Sequence, residues 1–467
     1  MRTIIFLRLA LVGTALLAGS VQAEDQRAYK TLRQAENWSF LDASGDKGAD
    51  PFDVVKNCNL GGPWRLTFGG STRLRYEADD NGWLQTDPVT DNDLGRLRSS
   101  LHLGISRGGM FRWYSEVSHA DTMGSERWAS GIEENDIDVQ NFFFDFTAVP
   151  STPHSVTFRV GRQEMSFGNE RLVGVNDFAN VRTTFDGMQI IARTKRTETS
   201  LFGMWPVEHV EEHDLDEPSN EETFYGLHST FRPAKNHEIQ GYLYVLQDDS
   251  DTHVSEKTSR VGEARRDTVG VRYVWTRGGW MVETELAAQG GDWSDDDIRS
   301  GFGTVNGGYE WRNAGWRPRI TFGIEMATGD DSAMDGRRGT FDPMFNSTRT
   351  GLGHLGVTGR RNLECLRVGM ATKPMRGMRW DSAILASRLE EDEDALYDQY
   401  GMPLRKDPTG NAGEGVGWEA HSQVSYEFHR HHEISLEVAR FWGGDVVEAF
   451  GTQTDATWGW VGYEFKF

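Results

Sequence analysis

The chain has only two cysteines in 467 residues, Cys58 and Cys365, so it is not a disulfide-built scaffold. Whether the two pair stays open, because an oxidising compartment permits a bond that spacing cannot establish. No Cys/His spacing resembles a metal site, and no cofactor motif is present. Proline is scarce, at 13 residues. Past the N-terminus, no apolar run approaches the roughly 20 residues of a membrane-spanning helix. With a mean hydropathy of −0.57, this excludes a helical membrane protein. It does not exclude a β-barrel, in which only alternate residues touch lipid. Positive charge is in deficit: 49 basic against 71 acidic residues give a net charge of −22, which argues against nucleic-acid binding.

Glycine is abundant, at 53 residues, and aromatics reach 11%. Glycine suits tight turns and close strand approach; Trp and Tyr suit the girdles of a barrel at the membrane interfaces. At the N-terminus, Arg2 precedes and Arg8 interrupts the apolar run Ile4 to Leu17, and Ala23 closes a small-residue stretch. This reads as a signal peptide over residues 1–23.

Residues 24–60 lack alternation and are expected to form a periplasmic N-terminal segment with a short helix near Tyr29–Glu36. From Trp64 onward, apolar and polar residues alternate in segment after segment. Trp64, Leu66, Phe68, Leu74 and Tyr76 share one strand face, while Arg65, Arg73, Arg75 and Glu77 share the other. About 18 such segments recur, most near the length of a tilted membrane-crossing strand. The last, 456–467, carries its alternation to Phe467. A strand in that position suits a barrel, whose last strand must pair with the first to abolish both edges. Short connections such as Arg107–Gly109 and Arg277–Gly279 alternate with long acidic ones, including 79–94, 206–222, 328–361 and 389–415. The expected fold is therefore all-β: one transmembrane antiparallel β-barrel over residues 61–467, with short periplasmic turns and long external loops. One long loop, 328–361, is expected to fold over or into the mouth.

Arginine supplies about 40 of the 49 basic residues. Several fall opposite the apolar face: Arg73, Arg75, Arg96, Arg98, Arg112, Arg159 and Arg193. A charge on the lipid face costs about 2–4 kcal/mol at the midplane, so this face is expected to line the lumen. Guanidinium groups bind carboxylates bidentately and stay charged at any cellular pH. Inward carboxylates, among them Glu77, Glu116, Asp145, Glu283, Glu285, Glu325 and Glu419, offer the structural alternative of Arg–acid pairs bracing the wall. The acidic loops read as solvated charge, with bridging by Ca2+ as the sharper alternative.

The stretch Val160-Gly161-Arg162-Gln163-Glu164-Met165-Ser166-Phe167-Gly168-Asn169-Glu170-Arg171-Leu172-Val173-Gly174, followed by Asn180-Val181-Arg182-Thr183-Thr184-Phe185-Asp186-Gly187, is distinctive. Glu36 to Leu41, Leu66 to Glu77 and Thr340 to Phe345 accompany it. As a set they resemble the alginate-export family of outer-membrane porins. The resemblance implies an 18-stranded barrel in the outer membrane and passage of a polyuronate through an arginine-lined constriction. It adds Arg162 and Arg182 to the candidate lumen residues. Strict alternation from Val156 sends Arg162 to the lipid face, so a bulge at Gly161 or an early strand end is needed to re-aim it.

The expected function is passage of an anionic poly- or oligosaccharide by a monomer in contact with outer-membrane lipid. A general or small-anion porin is the alternative. A barrel enzyme would need a nucleophile–base pair at a strand rim; His102, His119, His228 and His421 have no nucleophile motif beside them. An adhesin would need a blocked, charge-balanced lumen.

Overall fold

The computed structural model describes residues 27–43, 49–81, 84, 91–124, 133–150, 153–209, 215–332, 334–451 and 454–467. The expected signal peptide and parts of several long loops lie outside these residues. The period-2 segments pair in sequence order into one antiparallel sheet that closes on itself as an 18-strand barrel.

The strands are β1 (Trp64–Asp80), β2 (Asp91–Arg107), β3 (Phe111–Met123), β4 (Asn135–Ala148), β5 (Ser155–Gln163), β6 (Phe185–Arg193), β7 (Thr197–Glu208), β8 (Glu222–Ala234) and β9 (His237–Val254). They continue as β10 (Val261–Arg277), β11 (Trp280–Trp293), β12 (Asp296–Glu310), β13 (Arg319–Ala327), β14 (Leu363–Thr372), β15 (Met378–Arg388), β16 (Gly415–His429), β17 (His432–Gly443) and β18 (Ala456–Lys466). Closure is made by β18 on β1, in register from Ser71 opposite Lys466 to Asp80 opposite Thr457. Phe467 continues the ladder: its N–H donates to Gly70 O at 3.0 Å and its carbonyl accepts from Gly70 N at 3.1 Å.

The apolar rows face outward. Leu243, Phe322, Ile324 and Leu366 are exposed, Ile324 by 62%. In water such a belt would drive association; around a closed barrel it is the surface that lipid covers. The opposite rows are buried yet polar, with Glu77, His102, Glu283, Glu325 and Glu437 on them. The lumen is thus a polar interior, as the alternation requires.

The N-terminal segment lies against the barrel end that carries the short turns. It holds two short 3-10 turns, Arg33–Ala35 and Pro51–Val55, and a one-turn helix, Phe40–Ala43, in place of the single helix expected near Tyr29–Glu36. Arg33 donates to Gly70 O at 3.0 Å and to Phe467 O at 2.8 Å. The Lys56 ammonium donates to Phe68 O at 2.8 Å. Residues Cys58–Gly61 form a short strand on the start of β1. Both cysteines are free: Cys58 lies on that short strand, and Cys365 is buried on β14 near the end that carries the long connections.

Candidate functional site

Two connections do not stay outside. Residues 164–184, between β5 and β6, carry Met165, Phe167, Leu172, Val173, Val175, Phe178 and Val181. Residues 328–362, between β13 and β14, carry Phe341, Met344, Phe345, Leu352, Leu355 and Val357. A loop rich in such side chains gains by leaving water, at about 25 cal/mol per Å² of apolar surface buried. Both fold into the lumen. Met165, Leu172, Val173 and Phe341 pack against the inward residues Phe202, Phe224, Tyr242, Tyr244 and Phe302 of the wall. Leu355 and Val357 join Val416, Ala439, Phe441 and Trp458 on the opposite side.

The two loops also join each other. Val173 bridges to Phe345 in parallel, with Phe345 N donating to Leu172 O at 3.0 Å and Gly174 N to Phe345 O at 2.8 Å. The expectation that loop 328–361 enters the barrel refines to its second half. Arg337 and Arg338 pair beside Asp297 and Ile298 of β12, close to that strand's outer end, while residues from Phe341 onward run inward.

Ion pairs fix this cross-member to the wall. Arg171 reaches Glu283 at 2.7 Å and Glu285 at 2.9 Å on β11, and lies 3.6 Å from Glu325 on β13. Arg360 reaches Glu325 at 2.7 Å, and its guanidinium donates to Arg171 O at 3.3 Å. On the far side Arg349 pairs with Glu437 of β17 at 2.9 Å. The His354 ring meets the same carboxylate, stacking on His421 at 3.8 Å.

Of the sequence-predicted arginines, Arg73, Arg75, Arg98 and Arg182 converge on residues 177–179. Arg73 donates to Asp177 O at 2.7 Å and to Ala179 O at 2.9 Å. Arg75 donates to Phe178 O at 2.9 Å, and Arg98 to Asp177 O at 3.1 Å and to the Asp177 carboxylate at 2.8 Å. Arg182 lies 3.5 Å from that carboxylate and 3.1 Å from Glu164. Arg96 adjoins the group through Glu77, at 2.9 Å, and Glu133, at 2.6 Å.

Partial desolvation inside the barrel opposes ionisation of Asp177, whose side chain is half-exposed to the lumen. Arg98, Arg182 and Arg73 outweigh it and hold this carboxyl well below its usual range. Glu164 goes the other way: burial, reinforced by Glu116 and opposed by Arg182, pushes it up to about 7.

Arg112 and Arg159 form a second group nearer the short-turn end. Both hold Asp145 at 2.7 Å. The N-terminal segment enters here: Arg112 donates to Gln34 O at 2.6 Å and Arg159 to the Gln34 side chain at 3.0 Å. Gln34 in turn donates to Glu164 O at 3.0 Å, and Arg182 donates to Thr31 O at 3.0 Å. Gln34, Arg112, Asp145, Arg159 and Glu164 border a cavity of about 950 Å³ that also meets Tyr114, Thr157, Phe167 and His228.

Arg193 lines the same cavity as Arg112 and Arg159 without sharing their partners, whereas Arg162 lies apart from both groups. Arg193 pairs with Glu198 at 2.8 Å beside a short turn. Arg162 stays on the outer row, directly opposite Phe142 and Asp186. Gly161 has a φ of +122°, and a Cβ there would meet Phe142 O at 2.2 Å, so only glycine fits. The pairing nevertheless runs through Gly161 without a register shift, and no bulge re-aims the next side chain. Arg162 is instead neutralised in place, by Asp186 at 2.9 Å and Asp138 at 3.4 Å, under the carbonyl of Asp216.

The sequence reading missed Arg349 and Arg360 as lumen residues. Their signal was the apolar set Leu352, Leu355 and Val357, which an external polar loop has no reason to carry. Among the described residues, no group of three or more His, Cys, Asp or Glu side chains could hold a metal ion, and the acidic loops supply no such calcium site there.

Comparison with known proteins gives this architecture a family. The alginate-export profile matches residues 64–459. No curated protein sequence matches the chain. Among solved structures, OccK8 (OprE) of Pseudomonas aeruginosa superposes with a TM-score of 0.55 at 12% identity, over 86% of this chain and 98% of that one. OccAB1 of Acinetobacter baumannii gives 0.58 at 10% identity, over 86% and 96%. OpdK of P. aeruginosa, solved with vanillate, gives 0.56 at 12% identity, over 86% and 98%. With a closed barrel, a lipid-facing belt and a polar lumen already in view, this chain belongs to the alginate-export family and is a channel of the bacterial outer membrane rather than an enzyme.

Proposed function

We propose that this channel passes anionic saccharides, uronate oligomers or polymers, along the arginines of its first strands. The observation that carries the reading is the convergence of Arg73, Arg75, Arg98 and Arg182 on one oxygen-lined segment inside the barrel. Guanidinium groups that hold three carbonyls and a carboxylate in a row have the geometry to hold the oxygens of a passing uronate. Many modest contacts also suit conduction, because a solute bound tightly at one place does not leave. The channel works as a monomer in this reading, one barrel closed by β18 on β1. Ca2+ has no part in this reading.

A second reading, a channel for small carboxylates, is favoured by the inward loops, which leave a cavity of about 950 Å³ beside the N-terminal segment. OpdK, of similar fold, was solved with the small carboxylate vanillate.

Flux into proteoliposomes distinguishes the readings. Trigalacturonate is expected to enter about tenfold faster than a neutral trisaccharide of the same size. Equal rates would overturn the anionic-saccharide reading, and entry of galacturonate with exclusion of the trimer would establish the second.

A further inference from the structure

Asp177 holds a position that a solute carboxylate would be expected to take. One of its carboxylate oxygens accepts from Arg98 at 2.8 Å and lies 3.5 Å from Arg182. The backbone beside it is docked independently of that contact. The Phe178 ring lies 3.9 Å from the Arg75 guanidinium and 3.2 Å from that of Arg349, and packs on Trp458 and Trp460. The Asp177 side chain, by contrast, is 45% exposed to the lumen. The main chain can therefore stay in place while this one carboxylate rotates away.

We propose that Arg98 and Arg182 form a carboxylate-binding seat whose resting occupant is Asp177, and that a permeating uronate displaces this side chain to bind. The proposal rests on the anionic-saccharide reading. A tethered group competes at an effective concentration in the millimolar range. A single uronate therefore displaces Asp177 poorly, whereas an oligomer, held at the same time by neighbouring guanidinium groups, displaces it well. The returning Asp177 then expels the solute carboxylate, which keeps binding weak enough for release. Asp177 thus acts as an internal competitor that sets a threshold for chain length.

The test uses the full channel in planar bilayers, with trigalacturonate as probe. The reading is the concentration that halves the ion current, for the wild type, Asp177→Asn and Asp177→Glu. Heat-modifiable migration checks assembly, and Asp177→Ser gives the same reading if the Asn variant does not insert. Asp177→Asn is expected to lower the half-blocking concentration about tenfold, equivalent to about 1.4 kcal/mol. Asp177→Glu keeps the competing charge and is expected to stay within about twofold of the wild type. An unchanged or higher value for Asp177→Asn, in a wild type that trigalacturonate does block, overturns the displacement alone. A wild type that trigalacturonate does not block overturns the seat and the anionic-saccharide reading together.

Discussion

Excising residues 342–361 and joining Phe341 to Asn362 through two glycines is expected to raise single-channel conductance severalfold. The joint is geometrically available, because Phe341 N and Asn362 N both donate to Thr328 O, at 2.9 and 3.2 Å. The excision removes Phe345, the backbone partner of loop 164–184, together with Arg349 and Arg360, which tie the cross-member to Glu437 and Glu325. Strand pairing on either side of the joint is untouched, since β13 and β14 pair directly from Arg319 opposite Ala371 to Ala327 opposite Leu363. Planar-bilayer recordings on the excised and intact channels check this. An unchanged conductance would mean that the inward loops do not limit flux.

The second large effect concerns stability. Arg171 sits among Glu283, Glu285 and Glu325, and its side chain is buried. Arg171→Ala leaves Glu283 to Arg272, Glu325 to Arg360 and Glu285 to the Tyr242 hydroxyl. Removing one partner from a buried ion-pair cluster costs about 3–5 kcal/mol, because the remaining charges stay desolvated and uncompensated. The urea midpoint of unfolding from lipid vesicles is expected to fall accordingly. A midpoint within error of the wild type would show that water reaches the cluster and screens it. Replacing Arg193, which pairs with Glu198 at the surface, is expected to change the midpoint little, as exposed pairs contribute about 0–1 kcal/mol.

The barrel was legible because its signal is repeated. Period 2 marks a face whatever the residues between segments do, and each of the sequence-predicted strands has a counterpart in the sheet. The boundaries slipped where the apolar rows stop. The strands His237–Val254 and Val261–Arg277 run past the apolar alternation, because Asp248–His253 and Gly262–Arg266 are mostly polar. Alternation also placed Arg162 on the outer row, and the resemblance led away from that placement.

The inner loops were harder to read. Nothing periodic marks residues 164–184 or 342–361; the expectation that 328–361 folds over or into the mouth rested on loop length, and none was attached to 164–184. Their apolar residues were visible, but only a lumen wide enough to receive them gives those residues a place. The same holds for Thr31 to Gln34. This short non-periodic stretch bonds to Arg112, Arg159 and Arg182, which the sequence reading offered to solute. The structural alternative of arginines braced by acids is present at Asp145 and Glu77, while Arg73 is held by carbonyls alone among its hydrogen bonds.

This chain of net charge −22 is expected to enclose a path preferred by anions. Net charge belongs to the whole surface, whereas a permeating ion responds most to the narrow part of the lumen, where low-dielectric walls focus the field. The reversal potential of the unaltered channel in a potassium chloride gradient measures this directly. The expected result is a potential of the sign for chloride preference, reversed when Arg73, Arg98 and Arg182 are replaced together by Glu. Potassium preference in the unaltered channel would contradict the account, because it would show that the inward carboxylates, and not the guanidinium groups, set the field along the path.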